Sequence, residues 1–479
     1  MRILIDGMNL ALEKGTGVAT YARNLSYCLK RSGHEVVALY GKSVPRSGDA
    51  VLREAMFFDN PQIKTPVDEV LKTVADGGLR ALRPARPTAV PETGYVIREG
   101  HADRLPEADA FLNYRNLFRV ARLHFQLTGR FLEVSLPAPV DIAHWTYPIP
   151  IRARNTKNIY TIHDLVPLAL PHSTLDKKQY YYKLVKKIAE EADHVVTVSD
   201  WSQRDIIGML PIGTERVTNT YQSVEIPAAL LGKSSGDLEV ELANAFHAPL
   251  GEAANQVGAA GHGLQRNGFY LFVGAIEPKK NLRRMIEGYL ASGVPEPLVV
   301  VGCRAWNYKE VVNMMARSPR VIYLDYLPFS QVITLMRTAR ALIFPSLYEG
   351  FGLPILEAFI CGAPVITSDA SSTSEIADDA ALLTDPYDVR TIRDCIRALS
   401  APDSDARRGE MAARGQRRAK AFGQALVSDR LDNLYRRVAF SETQKSPARR
   451  PLARLPRGVG TRATDHDPAF MGAAPDAKD

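Results

Sequence analysis

Ser346-Leu-Tyr-Glu-Gly-Phe-Gly-Leu-Pro-Ile-Leu-Glu357 is the stretch from which the rest of this chain is read. It follows Ala341-Leu-Ile-Phe344, an uninterrupted apolar run of the kind required of a parallel strand covered on both faces by helices. Gly350 and Gly352 permit backbone conformations and close approaches that a Cβ would block, and Pro354 suits the first turn of a helix. The stretch therefore predicts a strand, a tight turn and a helix, with free amides at the turn able to face an anion. Ligands of α/β proteins sit at the carboxyl ends of such strands. On the predicted helix Glu357 shares a face with Leu353, Leu356 and Ile360, and it is the only charged residue between Gly350 and Ser368. A carboxylate there needs a partner, either a buried protein donor, which would make it structural, or a ligand hydroxyl.

At 479 residues the chain is long enough for two domains with full cores, because single cores rarely grow past about 250–300 residues. Its 46% hydrophobic and 24% charged content is that of a soluble globular protein. Met1-Arg-Ile-Leu-Ile-Asp6 reads as a first strand and lacks the regions of a signal peptide, and no apolar run is long enough to span a bilayer. Cys28, Cys303, Cys361 and Cys395 are dispersed, without zinc or redox spacing, and are expected to be reduced. A net charge of +7 favours anionic partners, while the lack of a zinc-finger spacing, an RNA-binding aromatic signature or a recognition-helix motif argues against nucleic acid.

Alternating strands and helices form two arrays. In the first, Arg2–Ile5, Glu35–Tyr40, Asp141–His144, Asn158–Ile162 and His194–Val198 read as strands. In the second, Tyr270–Val273, Leu298–Val301, Val321–Leu324, Ala341–Phe344, Val365–Ile366 and Ala381–Leu383 repeat the theme. Two doubly wound, Rossmann-like α/β domains facing a cleft follow, with their junction within Lys233–Asn267. Arg414–Ala439 reads as one final helix. The tail from Ser441 is rich in Pro, Arg and Gly and is expected to be disordered.

The spacing from Glu349 to Glu357, followed by Ala358-Phe-Ile-Cys-Gly-Ala-Pro-Val-Ile-Thr-Ser-Asp369, resembles the donor-site signature of the retaining GT-B glycosyltransferases of family 4. That resemblance implies that Glu349 lies near the transferred sugar and that Glu357 holds ribose hydroxyls. It also puts the amides of Phe351, Gly352 and Leu353 on phosphate or sugar, and Leu327 in the same donor site. It covers about residues 2–40 and 141–440. The domains it implies are 1–250, for the acceptor, with an insertion at about 45–140; 251–414, for the donor; a helix at 415–440 crossing back to the first domain; and a basic tail at 441–479.

Other constellations join this frame. Gly15-Thr-Gly17 follows the first strand and opens a helix, where its amides could face phosphate or simply form a tight turn. With Ile3-Leu-Ile-Asp-Gly7 and Tyr21-Ala-Arg-Asn-Leu25 it resembles the family's opening, so Gly15 and Gly17 are donor-site candidates. In Phe272-Val-Gly-Ala-Ile-Glu-Pro-Lys-Lys-Asn281, Asn281 is placed to cap the next helix, and Lys279 and Lys280 stand at the end where cations oppose the helix dipole. Either both reach into water or an anion such as a diphosphate lies between them. The family has a glycine here, often an arginine, then this lysine; the match gives Gly274 and Lys280, with Ala275 in the arginine's place. Lys279 or Arg304 could supply the missing charge. His163-Asp164 ends a strand, and the stretch resembles the family's cleft-facing histidine that contacts the sugar; the bland alternative is a histidine bonded to a carbonyl. Ser199 is a weaker cleft candidate. Phe111–Phe131 mixes apolar residues with Arg115, Arg119, Arg122 and Arg130, as either an ordinary packed amphipathic helix or a face for anionic lipid. Asp465-His-Asp467 lies in the tail and is not read as a metal site.

The resemblance thus implies a hexosyltransferase with His163, Lys280 and Glu349 as its catalytic residues. It takes a nucleoside diphosphate sugar as donor, with GDP-mannose the leading choice, and needs no cofactor or metal. His144-Trp-Thr-Tyr-Pro and Glu277-Pro-Lys-Lys-Asn look most like bacterial mannosyltransferases of surface polysaccharide assembly, which implies a glycan or polyprenyl-linked oligosaccharide acceptor. The expected location is the cytoplasm, peripherally on the inner face of the plasma membrane. A sugar-nucleotide epimerase and a non-catalytic nucleotide-sugar-binding subunit are the alternatives, the second kept open by Ala275 in the arginine's place.

Overall fold

The structure, a computed structural model, describes residues 1–10, 17–44, 47–59, 84–97, 105–244 and 264–441. The expectations for Gly15 and for the tail beyond Ser441 lie outside the described residues.

Two parallel sheets carry the fold. The larger runs in the order β10 (Val217–Asn219), β9 (His194–Thr197), β8 (Lys157–Thr161), β6 (Ile142–Trp145), β1 (Arg2–Asp6), β2 (Glu35–Tyr40), β4 (Ala110–Asn113) and β3 (Thr88–Ala89). Only β3 is antiparallel to its neighbour, and β5 (Leu132–Val134) and β7 (Ile151–Ala153) form a separate parallel pair beside this sheet's core. The second runs β13 (Val321–Leu324), β12 (Leu298–Val301), β11 (Tyr270–Val273), β14 (Ala341–Phe344), β15 (Val365–Ser368) and β16 (Leu382–Thr384), all parallel. Strands such as Leu298–Val301 and Ala341–Phe344 are buried along their whole length, which is why they read as continuous apolar runs. In each sheet the chain winds outward one way and then the other, so the strand order reverses between β1 and β6 and between β11 and β14. Crevices open at such reversals, beyond the strands' carboxyl ends.

Three expectations need correction. Phe111–Phe131 is not one helix: β4 takes Ala110–Asn113, Asn116 turns at φ 57°, and only Leu117–Thr128 is helical. Pairing of β4 with β2 fixes the strand, because Phe111 and Leu112 are then buried. Arg414–Ala439 is likewise two helices, Ser404–Ala419 and Gln424–Phe440. The break falls where Phe422 turns inward against the rings of Tyr221 and Phe351 and Gly423 extends. Asn281 precedes its helix at φ 60° but caps nothing, because its side-chain amide donates to the carbonyls of Pro345 (3.0 Å) and Pro386 (2.6 Å), tying three loops together.

Helix Gln424–Phe440 packs against the helix Gly17–Arg31 that follows β1. Its Arg437 donates to Thr218 at 3.0 Å, and its Asp432 lies 3.0 Å from His34. Helix Ser235–Asn244 packs instead on Phe329–Thr338 of the second array, where Thr334 donates to Glu241 at 2.6 Å.

Candidate active site

The second sheet contributes charge. After β11 the chain makes a tight turn at Pro278–Lys280, and after β14 it passes through Glu349 into the helix Leu353–Cys361. Lys280 Nζ lies 2.6 Å from Glu349 Oε1 and 4.7 Å from the centre of the Phe344 ring. Lys279 Nζ is 4.0 Å from Glu349 Oε2 and 3.6 Å from Glu277. Burial works to raise the pKa of Glu349, but the charges of Lys280 and Lys279 prevail and hold it below the usual glutamate range. Burial also opposes the charge on Lys279, yet Glu349, Asp164 and Glu277 together hold its pKa above that of a free lysine. The backbone of Glu349 is fastened as well, its amide to Ser371 Oγ at 3.0 Å and its carbonyl to Ser372 Oγ at 2.9 Å.

Anion-binding capacity lies beside this pair. Gly352 sits at φ 115°, a conformation that L side chains rarely adopt, and the turn it makes leaves the amides of Phe351, Gly352 and Leu353 without a protein acceptor among the described residues. They stand at the positive end of the helix dipole. About one turn further on, Glu357 is half-buried and makes no hydrogen bond or ion pair among the described residues. Burial alone pushes its pKa up to about 7. The structural alternative, a carboxylate satisfied by backbone, is therefore not what the fold builds.

The first sheet contributes hydrogen-bonding groups around a neutral histidine. His163 follows β8, and its Nε2–H donates to the carbonyl of Thr146 at 3.0 Å, leaving Nδ1 as an acceptor. Burial lowers its pKa, outweighing the Thr146 carbonyl and the charge of Asp164, so the ring is neutral near pH 7. Thr146 is held in turn by Asp6, whose fully buried carboxylate accepts the Thr146 amide (2.5 Å) and the Met8 amide (3.2 Å). The Tyr21 ring stands nearly perpendicular to that of His163, with centroids 4.7 Å apart.

These two sets of loops meet. A Cβ on Gly350 would lie 2.7 Å from the His163 carbonyl and 2.9 Å from an Asp164 carboxylate oxygen, so only glycine allows this approach. A Cβ on Gly17 would contact Leu353 at 3.5 Å. Ser202 donates to the carbonyl of Gly350, and Tyr348 to Asp205. Glu375 accepts the amides of Asp200 and Trp201, both at 2.8 Å, at the start of helix Asp200–Met209.

The structure thus gathers His163, Lys279, Lys280, Glu349, Phe351, Gly352, Leu353 and Gly17 at one junction, with Gly274 beneath Lys280, whose Cε would lie 3.7 Å from a Cβ there. Arg304 stands apart after β12, its guanidinium 5.3 Å from the Tyr323 ring centre, and Leu327 follows β13, half-buried against the core. Neither touches the Lys280–Glu349 pair. Ser199 serves its own helix by accepting the Ser202 amide at 3.0 Å. Sequence reasoning missed Asp6, Thr146, Thr161, His144 and Tyr435, all buried. Polar residues ending strands of apolar pattern were the signal available for the first four; nothing comparable marked Tyr435. Among the described residues no cluster of three or more His, Cys, Asp or Glu stands ready for a metal, and no helix is long and apolar enough to cross a membrane.

Comparison with known proteins gives two family matches: "Glycosyl transferases group 1" over residues 261–418 and "Glycosyltransferase Family 4" over residues 15–225. The chain is similar to O-antigen chain mannosyltransferase B of Escherichia coli, with 29% identity over 291 residues covering 59% of this chain and 71% of that protein. It is 27% identical over 326 residues to the serotype-specific mannosyltransferase WbdA of Escherichia coli, covering 62% of this chain but only 38% of that protein. Among solved structures, Anabaena HepE in complex with UDP-glucose shares the fold, with a TM-score of 0.57, 16% identity, and coverage of 91% of this chain and 99% of that one.

Proposed function

This chain belongs to the glycosyltransferases of group 1 and family 4 and has their GT-B fold, and on that premise we propose that it transfers mannose from GDP-mannose to an acceptor hydroxyl with retention at the anomeric carbon. The observation that carries this reading is the Lys280–Glu349 pair set against three helix-start amides that, like Glu357 beyond them, meet no hydrogen-bond partner among the described residues.

In this account the diphosphate lies on the amides of Phe351, Gly352 and Leu353 and draws Lys280 and Lys279. Glu357 accepts the ribose hydroxyls, and Arg304 adds charge on the nucleotide side. The acceptor oxygen bonds to the anomeric carbon on the face from which the diphosphate departs. The bond from that carbon to the phosphate oxygen breaks, its electron pair goes to the diphosphate, and the acceptor proton passes to the same phosphate oxygen. Lysines, amides and helix dipole stabilise the growing negative charge without a metal. Glu349 and the neutral His163 orient the sugar and face the positive charge developing on it.

The proposed acceptor is a glycan or polyprenyl-linked oligosaccharide of surface polysaccharide assembly, in keeping with the names of the relatives. The protein would then work in the cytoplasm against the inner face of the membrane. Arg119, Arg122 and Arg130, with Lys183 and Lys186 on the neighbouring helix Lys178–Glu191, meet no carboxylate among the described residues and suit an anionic surface. A melting-temperature panel of GDP, UDP, ADP and dTDP sugars in EDTA tests the donor, since a ligand that binds only the native state raises that temperature. A shift with GDP-mannose supports the reading; a shift with another nucleotide reassigns the donor, and none at all overturns it.

A further inference from the structure

A buried chain of polar side chains runs from the C-terminal helix to the candidate histidine. The Tyr435 hydroxyl meets His144 Nδ1, His144 Nε2 lies 2.8 Å from Thr161 Oγ1, and Thr161 Oγ1 lies 2.9 Å from the Tyr21 hydroxyl. The Tyr21 ring then stands against that of His163. Burial, with a smaller push from His163 and His194, drives the His144 pKa down to about 3, so the ring is neutral and carries one N–H and one lone pair. Tyr435 has no other hydrogen-bond partner among the described residues, and a buried hydroxyl left without an acceptor is costly, so it donates to Nδ1. That direction sends Nε2–H toward Thr161. One phenol on the last helix therefore sets the tautomer of His144 and orders the hydroxyls behind Tyr21.

Resting on the reading of His163 given above, we propose that Tyr435 is a positioning residue for that histidine, acting through His144, Thr161 and Tyr21. A helix reached only after the second sheet is complete thereby completes the half of the site built on the first. Packing alone does not explain the arrangement. A phenylalanine at 435 would keep the perpendicular ring contact with His144 (centroids 5.7 Å apart), so the hydroxyl adds only the directed hydrogen bond. Among the described residues His163 is hydrogen-bonded at Nε2 alone, and the orientation of its Nδ1 depends on the ring that Tyr21 holds in place.

Three variants of the full chain test this: Tyr435→Phe, Thr161→Val and the double variant, with His163→Ala as reference. Two readouts are taken below each variant's melting temperature. The first is the 15N spectrum of histidine-labelled protein, in which the His163 signals are those missing from His163→Ala. The second is nucleotide release from the sugar nucleotide that gives the largest thermal shift. The expected result is a displaced His163 signal in Tyr435→Phe and about a tenfold loss of kcat with KM for the donor within about twofold. Thr161→Val should match it, and the double variant should be no worse than either single one, because one chain is being cut twice. Unmoved His163 signals, a change in KM alone, or additive losses overturn the proposal. Where His163→Ala is as active as the wild type, the reading of the site falls with it. Where His163→Ala is inactive and Tyr435→Phe is silent, only the role of Tyr435 falls.

Discussion

The two sides of the junction solve the same positioning problem with different chemistry. On the second sheet, side chains are held by opposite charges: Lys280 on Glu349, and Lys279 near Glu277 and Glu349. On the first, they are held by neutral hydrogen bonds: His163 on a carbonyl, and His144 between two hydroxyls. A charged cradle can exchange a carboxylate for a phosphate when a diphosphate arrives, because the lysine charge is present in both states. The hydrogen bonds of His163 and His144 keep their geometry through that exchange, since burial holds both rings neutral near pH 7. The first arrangement suits binding of an anion, and the second suits orientation of an uncharged sugar.

The largest effect should come from removing the cation that is common to both states. Lys280→Ala is expected to lower turnover by about 10²–10³-fold, the range seen when one donor to a developing charge is lost. It also leaves Glu349 buried with only Lys279 near. The stability contributed by the depressed Glu349 pKa is present above the unfolded value and lost as pH falls through the folded one, so the variant's melting deficit should be largest at neutral pH and shrink in acid. A deficit independent of pH would break the comparison on the charged side.

On the neutral side, His163→Ala should cost about 10²-fold in kcat, as for a misplaced reacting group, with little change in donor KM. Because burial holds His163 neutral, wild-type turnover should show no loss attributable to this ring until the pH falls below about 6.5, its ordinary value. A loss that begins at higher pH would mean that the ring is charged when it works.

Glu357 sharpens the contrast, since it sits on the charged side without a partner. Glu357→Gln should weaken donor binding about tenfold through loss of a charge-assisted bond to the ribose. Its folded pKa, near 7, lies above the ordinary 4.5, so the wild type loses stability as pH rises between those values. The variant should therefore melt higher than the wild type at pH 8 and equal it at pH 4. Gly350→Ala, where the two sides touch, should cost about 1–3 kcal/mol, typical of overpacking, read as a lower melting temperature. Arg304→Ala, exposed and outside the junction, should change donor KM only a few-fold.

This contrast also explains what could be read from the residues alone. The charged side is local: Lys279 and Lys280 share one turn, and Glu349 to Glu357 share one strand-to-helix passage, so spacing and glycines reveal it. All six core strands of the second sheet were legible for the same reason, each a short apolar run closed by turn residues. The histidine side is assembled from Asp6, Tyr21, His144, Thr146, Thr161, His163 and Tyr435, which converge only once β1, β6 and β8 lie side by side and the last helix returns. Strand β4 was hidden because Phe111 and Leu112 fit a helical face as well as a strand, and the pairing with β2 that decides it is remote in sequence. The break before Gln424 was hidden similarly, since Phe422 is drawn in by the rings of Tyr221 and Phe351, both remote in sequence.

The central claim is that the cradle around Lys280 holds the diphosphate of a sugar donor. Calorimetric titration of GDP-mannose into wild-type protein and Lys280→Ala, both in EDTA, tests it most directly. The account predicts saturable binding by the wild type, weakened at least about thirtyfold in the variant, in line with loss of a charge-assisted hydrogen bond. Equal affinity of the two proteins, or wild-type binding that vanishes in EDTA, would contradict it.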